Sequence, residues 1–353
     1  MNKPRRERQP SIGDVARHAG VALGTVSNAL NNPDKLSPTT LSRVQSSMEE
    51  LGFVRNRLAT NLAAGTGDLI GFVIVDIGNS LFVDIARGAE RAAQEKDFKL
   101  MLANSDVDLD RQNLYLNLFD ESRVSGVLLA PLDAPLDGAA NVRSHGRPVV
   151  LVNWPGQDNE SCGVTVDEEL GGYTAAKHLV SQGCRSLLFA GGPLALTAVR
   201  ERLAGAQRAV RECGVPVRFE LMETERLTAP AGLNVGRIIS ERPPTERPDG
   251  IFAAADALAA GCAQALLYAG ISIPDELAII GYDDNHFTAD HVVPISTVGQ
   301  PGQEMGRRAL ELLVDEIQNS DHQHQTVVLR PTLIARASTA RVIDRPLSGK
   351  AKG

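Results

Sequence analysis

From residue 68 onward the apolar positions fall into short continuous runs: LIGFVIVD, FKLMLANSD, SGVLLAP, RPVVLVN, RSLLFAGG, VRFELM, GIFAAAD and LAIIGYDD. Runs of this length without polar alternation predict strands buried on both faces. Longer stretches of helical character alternate with them, among them FVDIARGAERAAQEK, LGGYTAAKHLVSQG and LAAGCAQALLYAG. Such alternation implies βαβ units and parallel sheets, and eight or more strands suggest two doubly wound α/β lobes. Ahead of residue 68 the pattern changes. Ile12, Val15, Ala16 and Ala19 recur at i, i+3, i+4 and i+7, the stripe of a short helix, and Ser11 with Asp14 supplies an N-cap and a first-turn acid. Gly20 can end that helix in a left-handed conformation, and Val21 begins a turn. A second helix then starts near Leu23, capped by Ala22, with Val26, Ala29 and Leu30 directed back onto the first. Ser37-Pro38 opens a third, whose apolar face is Leu41, Val44, Met48 and Leu51 and whose end is Gly52.

Residues 11–31 therefore read as a helix-turn-helix. The second helix leaves Leu23, Gly24, Thr25, Ser27 and Asn28 on or near its outward face, which is small, polar and uncharged. A helix of this kind suits the major groove, where Asn can pair with adenine and an apolar side chain can touch a thymine methyl. The formal net charge of −7 would argue against nucleic acid if it were spread evenly. It is not: residues 1–66 hold nine Lys/Arg and five Asp/Glu, and the remainder holds 27 and 38. A basic head on an acidic body is the distribution expected of a protein whose head alone meets phosphates. Lys3, Arg5, Arg6 and Arg8 lie in residues 1–9, read as a flexible basic arm.

In doubly wound sheets, ligands bind at the carboxyl ends of the strands. The polar groups at those positions are Asp76 and Asn79, then Asn104, Ser105 and Asp106, then Asn153, and finally Asp283 with Asp284. Phe82 and Trp154 could form an aromatic wall beside them. Amides and carboxylates against an aromatic surface are what a polyhydroxylated ligand requires, since each hydroxyl both donates and accepts.

Residues 11–31, continued by NNPDKLSPTTLSRVQSSMEELGFVRNRLATNLAAGTGDLIGFVI, are similar along their whole length to the LacI/GalR (lactose repressor) family of transcriptional regulators. The likeness extends from about residue 10 to about 340. It implies a head at 10–55, a hinge helix and linker at 56–67, a core at 68–341 like the periplasmic sugar-binding proteins, and a tail at 342–353. The implied crossovers near 180, 298 and 328 divide that core into lobe one, 68–180 and 298–328, and lobe two, 181–297 and 329–341. In the family the hinge wedges a leucine into the minor groove at the operator centre. Leu62 matches that leucine, Ala59 lies one turn earlier, and Asn56 follows Arg55 where the family usually has proline. Asn153, Asp167, Arg202, Asp283 and Gln300 match positions that hydrogen-bond the effector, and Phe82 matches one that packs on it. Two departures stand out. Ala255 precedes Asp256 where the family commonly has Asn, and Ala22 replaces a capping serine.

The reading is thus a homodimeric, effector-controlled regulator of a palindromic operator, a repressor by expectation, with a carbohydrate-like effector and no cofactor. Two heads one helical turn apart read both half-sites, which a single small head cannot. A stand-alone sugar-binding protein of transport is the alternative, and the absence of a signal peptide together with residues 11–31 argues against it. Catalysis has little support: there is no P-loop, GxGxxG or GxSxG, and Asp283 and Asp284, adjacent on a strand, point in opposite directions. Cys162, Cys184, Cys213 and Cys262 show neither metal-site spacing nor a disulfide pattern, and the expected compartment is cytoplasmic. RVIDRPLSGKAKG at the end has no heptad, so no C-terminal tetramerisation helix is expected.

Overall fold

The structure, a computed structural model, describes residues 10–53, 67–132, 134–157 and 159–341. The arm at 1–9, the hinge positions Asn56, Ala59 and Leu62, and the tail at 342–353 lie outside the described residues. The described chain forms two compact units divided at Thr66 and Gly67.

The first unit is three helices: α1 (Ile12–His18), α2 (Leu23–Asn31) and α3 (Pro38–Glu50). Local chemistry sets the ends of α1 and the start of α3. At α1 the Ser11 hydroxyl accepts from the Asp14 N–H (3.3 Å) while the Ser11 N–H donates to the Asp14 carboxylate (2.8 Å), a reciprocal capping box. Gly20, at φ +60°, takes the left-handed conformation that closes α1. Ser37 caps α3 through the Thr40 N–H, and Pro38 occupies its first position. The core beneath is small: Val15, Ala16, Ala19, Val26 and Val44, flanked by half-buried Met48 and Leu51.

The second unit holds two six-stranded sheets of matching winding. In chain order the elements are β1 (Leu69–Ile74), α4 (Ser80–Glu95), β2 (Lys99–Asn104), α5 (Leu109–Glu121), β3 (Gly126–Leu129), α6 (Asp137–Ser144), β4 (Val149–Val152) and β5 (Gly163–Val166). There follow α7 (Glu168–Ser181), β6 (Ser186–Ala190), α8 (Thr197–Glu212), β7 (Arg218–Met222), α9 (Ala229–Ser240), β8 (Gly250–Ala253), α10 (Asp256–Tyr268), β9 (Ala278–Asp283) and β10 (Ser296–Gly299). Last come α11 (Gly302–Gln318), β11 (Thr326–Leu329) and β12 (Thr332–Ile334). The sheets run β11-β5-β4-β3-β1-β2 and β12-β10-β9-β8-β6-β7, parallel throughout except for β12 against β10. In each, the strand order reverses beside the first strand, between β1 and β3 and between β6 and β8, so both sheets have a topological switch point at their carboxyl ends.

The inner strands β1, β3, β4, β6, β8 and β9 are buried as their apolar runs predict. The edge strands β2 and β7 are not: both carry exposed positions, because an edge strand lacks a neighbour on one side. The runs give no sign of β5, β10, β11 or β12, which are three or four residues long and contain Thr, Ser or Gly. Of the passages between sheets, the first differs from expectation. Helix α7 packs on α8 and on the second sheet, so the first passage falls at Asp167 and not near 180; the second follows β10, at Gln300; the third separates β11 from β12. A crossover helix covers the sheet it leads into, which is why the boundary precedes the helix. Among the described residues no helix is long and apolar enough to cross a membrane.

Candidate functional site

Between the carboxyl ends of the two sheets lies a cleft of about 560 Å³. Strand ends of both lobes deliver side chains to it. Asn153 follows β4 directly, at φ +56°, Asp283 ends β9 at φ +101°, and Gln300 follows β10. A positive φ on non-glycine residues is strained and is held here by the surrounding strands.

The polar floor is built around Arg202, which is only 4% exposed. Its Nε and Nη2 donate to the Glu168 carboxylate in a bidentate pair (2.8 and 2.9 Å), and Nη1 donates to the Ala254 carbonyl (2.6 Å). Nη2 also lies 3.6 Å from Asp283 Oδ1, and the guanidinium covers the Tyr282 ring at 3.7 Å from its centroid. Burial opposes the charge on Arg202, but Glu168 and Asp283 more than offset this and hold the guanidinium ionised. A glycine contact makes the pairing possible. A Cβ on Gly172 would sit 1.9 Å from the Arg202 carbonyl oxygen, and one on Gly205 would sit 1.9 Å from that of Glu169. The backbones of α7 and α8 therefore meet without intervening side chains, which brings Glu168, one turn before Gly172, onto Arg202.

Asp283 accepts from the Gln300 amide nitrogen (2.7 Å) and from the Asn79 amide (3.4 Å). Burial pushes its carboxyl up, against the opposing pull of Arg202 and Gln300. The Asn79 bond crosses from one lobe to the other, and it has company. Ser80 donates through its N–H and hydroxyl to Asn285 Oδ1 (2.8 and 3.0 Å), and the His286 N–H donates to Ser80 Oγ (3.0 Å). The start of α4 is thus tied to the loop after β9. Asp256 supports that loop from behind: its buried carboxylate accepts from the Asn285 N–H (2.7 Å), and burial, with Asp283 adding to it, pushes its pKa up.

Of the residues expected at the cleft, Asn79, Phe82, Asn153, Trp154, Arg202, Asp283 and Gln300 line it. Two do not. Asp106 is exposed, at φ +57°, and pairs with Arg111 at 2.8 Å. Asp167 is the N-cap of α7, its Oδ1 accepting from the Leu170 N–H at 2.8 Å; the helix begins one residue later and turns Glu168 inward in its place. Asp76 and Asn104 accept from the loop N–H groups of Gly78 and Ile77, and Ser105 donates to the Ile74 carbonyl. Asp284 pairs with Arg336, away from its neighbour's partners; β9 ends at Asp283 and both residues have positive φ, so the turn after the strand separates them. Ala255 is the buried N-cap of α10 and is absent from the cleft lining.

Glu168 and Glu201 are the charged cleft residues that the sequence pattern did not single out. A first-turn acid is ordinary helix chemistry and gives no warning of a cleft partner. Partial burial, and then the nearby carboxylates of Glu168, Asp167 and Glu169, push the Glu201 carboxyl up. Among the described residues no side chain hydrogen-bonds Asn153 or Glu201, and the buried Gln300 Oε1 has no partner. The wall opposite is apolar, with Phe82, Trp154, Leu132, Val166 and Leu196.

In the head, α2 presents Leu23 more than half exposed, next to exposed Gly24, with Thr25, Ser27 and Asn28 partly exposed on the helix. Ala22 occupies the N-cap and makes no side-chain bond to the α2 amides. The cysteines are less scattered than their spacing implies, since the fold brings Cys162 together with His322 and His324. Ligands about 160 residues apart leave no sequence spacing to read.

Residues 11–56 match the profile of bacterial regulatory proteins of the lacI family, and residues 176–339 match that of a periplasmic binding protein-like domain. The ribose operon repressor of Escherichia coli is 30% identical over 329 residues, which cover 93% of this chain and 99% of that protein. The HTH-type transcriptional regulator DegA of Bacillus subtilis is 30% identical over 334 residues, 94% of this chain and 98% of the relative. Among solved structures, a LacI family regulator from Enterococcus faecium with bound ribose is 28% identical with a TM-score of 0.68, covering 77% of this chain and 98% of the other. The lac repressor dimer bound to operator shares the fold, with a TM-score of 0.76 over 94% of this chain and 99% of the other at 22% identity. With a helix-turn-helix head, two switch-point sheets around a polar cleft, and relatives matched over nearly their full length, this chain belongs to the LacI family of DNA-binding transcriptional regulators.

Proposed function

We propose that the protein is a repressor that binds a two-fold operator as a homodimer, and that a neutral carbohydrate in the cleft sets its affinity for DNA. The observation carrying the effector class is the charge balance of the cleft. Among the described lining residues Arg202 is the only basic side chain, and Glu168 and Asp283 already neutralise it, while Glu201 adds a further carboxylate. An anionic ligand such as a sugar phosphate would meet net negative charge with no cation to receive it. A neutral polyol finds the Asn153 amide, the Glu201 carboxylate and Gln300 Oε1 for its hydroxyls, and Phe82 and Trp154 for its apolar face. Two relatives point the same way, one named for the ribose operon and one carrying bound ribose.

The DNA-reading set is Leu23, Gly24, Thr25, Ser27 and Asn28 on α2, with Asn56, Ala59 and Leu62 of the linker acting on the minor groove as the family resemblance implies. Dimerisation is supported by apolar surface at equivalent places in both lobes: Met101 and Leu102 on β2 and Leu114 and Leu118 on α5, matched by Leu221 on β7 and Leu233 on α9, all exposed. Exposed apolar side chains at matching places in two lobes are suited to an interface. The cytoplasm, where operator DNA lies, is the compartment this function requires.

The inter-lobe bonds of Asn79 and Ser80 supply the coupling. A ligand hydroxyl that takes Asp283 from Asn79 alters the bonds that hold the two lobes together, and so favours one lobe arrangement over another. A thermal-shift screen of neutral sugars, sugar phosphates and nucleosides tests the class. A neutral sugar at 100 times its Kd should add about 2.7 kcal/mol of stability. Stabilisation confined to the phosphorylated compounds would refute it.

A further inference from the structure

We propose that Cys162, His322 and His324 form a zinc site at the end of the first sheet opposite the cleft. Cys162 immediately precedes β5 and is fully buried, and the histidines lie in the connection from α11 to β11. Parallel pairing of β5 with β11 fixes their meeting: the Gly163 N–H donates to the Gln325 carbonyl (3.0 Å), and the Gln325 N–H donates to Cys162 Sγ (3.3 Å). Sγ then lies 3.2 Å from His322 Nε2 and 3.9 Å from His324 Nδ1, and the three donor atoms all fall within 4.8 Å of one another. Tetrahedral zinc, with Zn–S near 2.3 Å and Zn–N near 2.1 Å, places sulfur and nitrogen roughly 3.6 Å apart. The two observed separations bracket that value.

The surroundings are those of a metal site. Asp315 Oδ2 lies 2.6 Å from His322 Nδ1, which fixes the proton on that nitrogen and turns the Nε2 lone pair toward the sulfur, the carboxylate–histidine–metal arrangement. His322 is only 5% exposed, so its orientation is set by packing as well. The Gln325 backbone N–H points at Cys162 Sγ, where it would support a metal-bound thiolate. Glu316 Oε2, buried without a hydrogen-bond partner, lies 4.0 Å from His324 Nδ1 and adds negative charge beside the cluster, and water would complete the coordination. One thiolate and two imidazoles are a borderline-soft donor set that suits Zn²⁺ and disfavours Mg²⁺ or Ca²⁺. Binding would fasten the α11–β11 connection to the start of β5, just ahead of the third passage between lobes.

The test uses the full chain, stripped with a chelator and titrated with Zn²⁺ against a chromogenic competitor, with Co²⁺ as a spectroscopic probe. The expected result is one zinc per chain and, with cobalt, intense visible tetrahedral bands plus a thiolate-to-cobalt charge-transfer band. Cys162→Ser should abolish the charge-transfer band and lower zinc affinity more than about a hundredfold, beyond the roughly 10- to 100-fold loss expected of the supporting Asp315→Asn. His324→Ala, at a partly exposed side chain, gives a second variant that does not burden the core and should also lose zinc. Cys213→Ser should change neither. A wild-type chain with no thiolate band, or a band lost in Cys213→Ser and kept in Cys162→Ser, would overturn the site.

Discussion

The head and the core bury their chains on different scales, and their functional residues differ accordingly. The head encloses five small aliphatic residues, and the bonds at its helix ends span no more than five positions along the chain. The core encloses Phe72, Phe119, Phe189, Phe252 and Tyr282 completely, and its cleft is held by bonds between residues 17 to 206 positions apart. A reading helix built from local signals can exchange its outward residues without disturbing its fold. A cleft floor built from buried, mutually paired charges cannot, so the core resists change and the head tolerates it.

The largest effect that would sharpen this contrast is expected from Glu168→Ala. It strands the buried Arg202 guanidinium beside Asp283 alone, and breaking a buried pair from one side costs about 3–5 kcal/mol. Chemical denaturation of the core should record it; a loss under 1 kcal/mol would mean that water already reaches the pair. In the head, Asn28→Ala should relax base preference at one position of each half-site at a cost of about 1–3 kcal/mol in operator affinity while leaving the fold intact. Equal weakening on every DNA sequence would assign Asn28 to phosphate.

The smallest effect concerns caps. Ala22→Ser should restore the missing side-chain bond at the start of α2 and raise head stability by about 0.5–2 kcal/mol, read as slower amide exchange of α2 in the full chain. The same readout carries a pH signature. Hydrogen bonds from Ser11, with Arg17 adding to them, lower the Asp14 carboxyl to about 2, below its unfolded value near 4. Its contribution is therefore complete above about pH 4 and disappears as the pH falls toward 2. Head protection should decline across that window in wild type and in Ala22→Ser alike, and an unchanged head at pH 2 would show that the capping box adds nothing.

The same division decides what could be read from the sequence. Ser11 with Asp14, Gly20, and Ser37-Pro38 act on their own neighbours, and the three helices follow from them almost residue for residue. The buried inner strands were legible as apolar runs, but β5, β10, β11 and β12 exist because a partner strand lies beside them, and four residues of mixed polarity carry no period of their own. In the cleft, strand-end position pointed to Asn79, Asn153 and Asp283, and family resemblance added Arg202 and Gln300. It also nominated Asp167, one residue from Glu168. A helix start decides which of two adjacent acids caps and which turns inward, and that depends on the α7–α8 contact at Gly172 and Gly205. The Cys162 cluster was hidden for a related reason: the pairing of β5 with β11 creates it, although the doublet His322-Gln323-His324 stood in view.

The central claim is that the cleft and the operator are coupled through the lobes, and operator affinity measured with and without a saturating cleft ligand tests it most directly. Fluorescence anisotropy of the full chain on a palindromic operator should show Kd shifting by about 5- to 150-fold when the ligand is present. Reciprocally, operator should change ligand affinity by the same factor. A sugar that stabilises the core in a thermal shift yet leaves operator Kd unchanged would contradict the account.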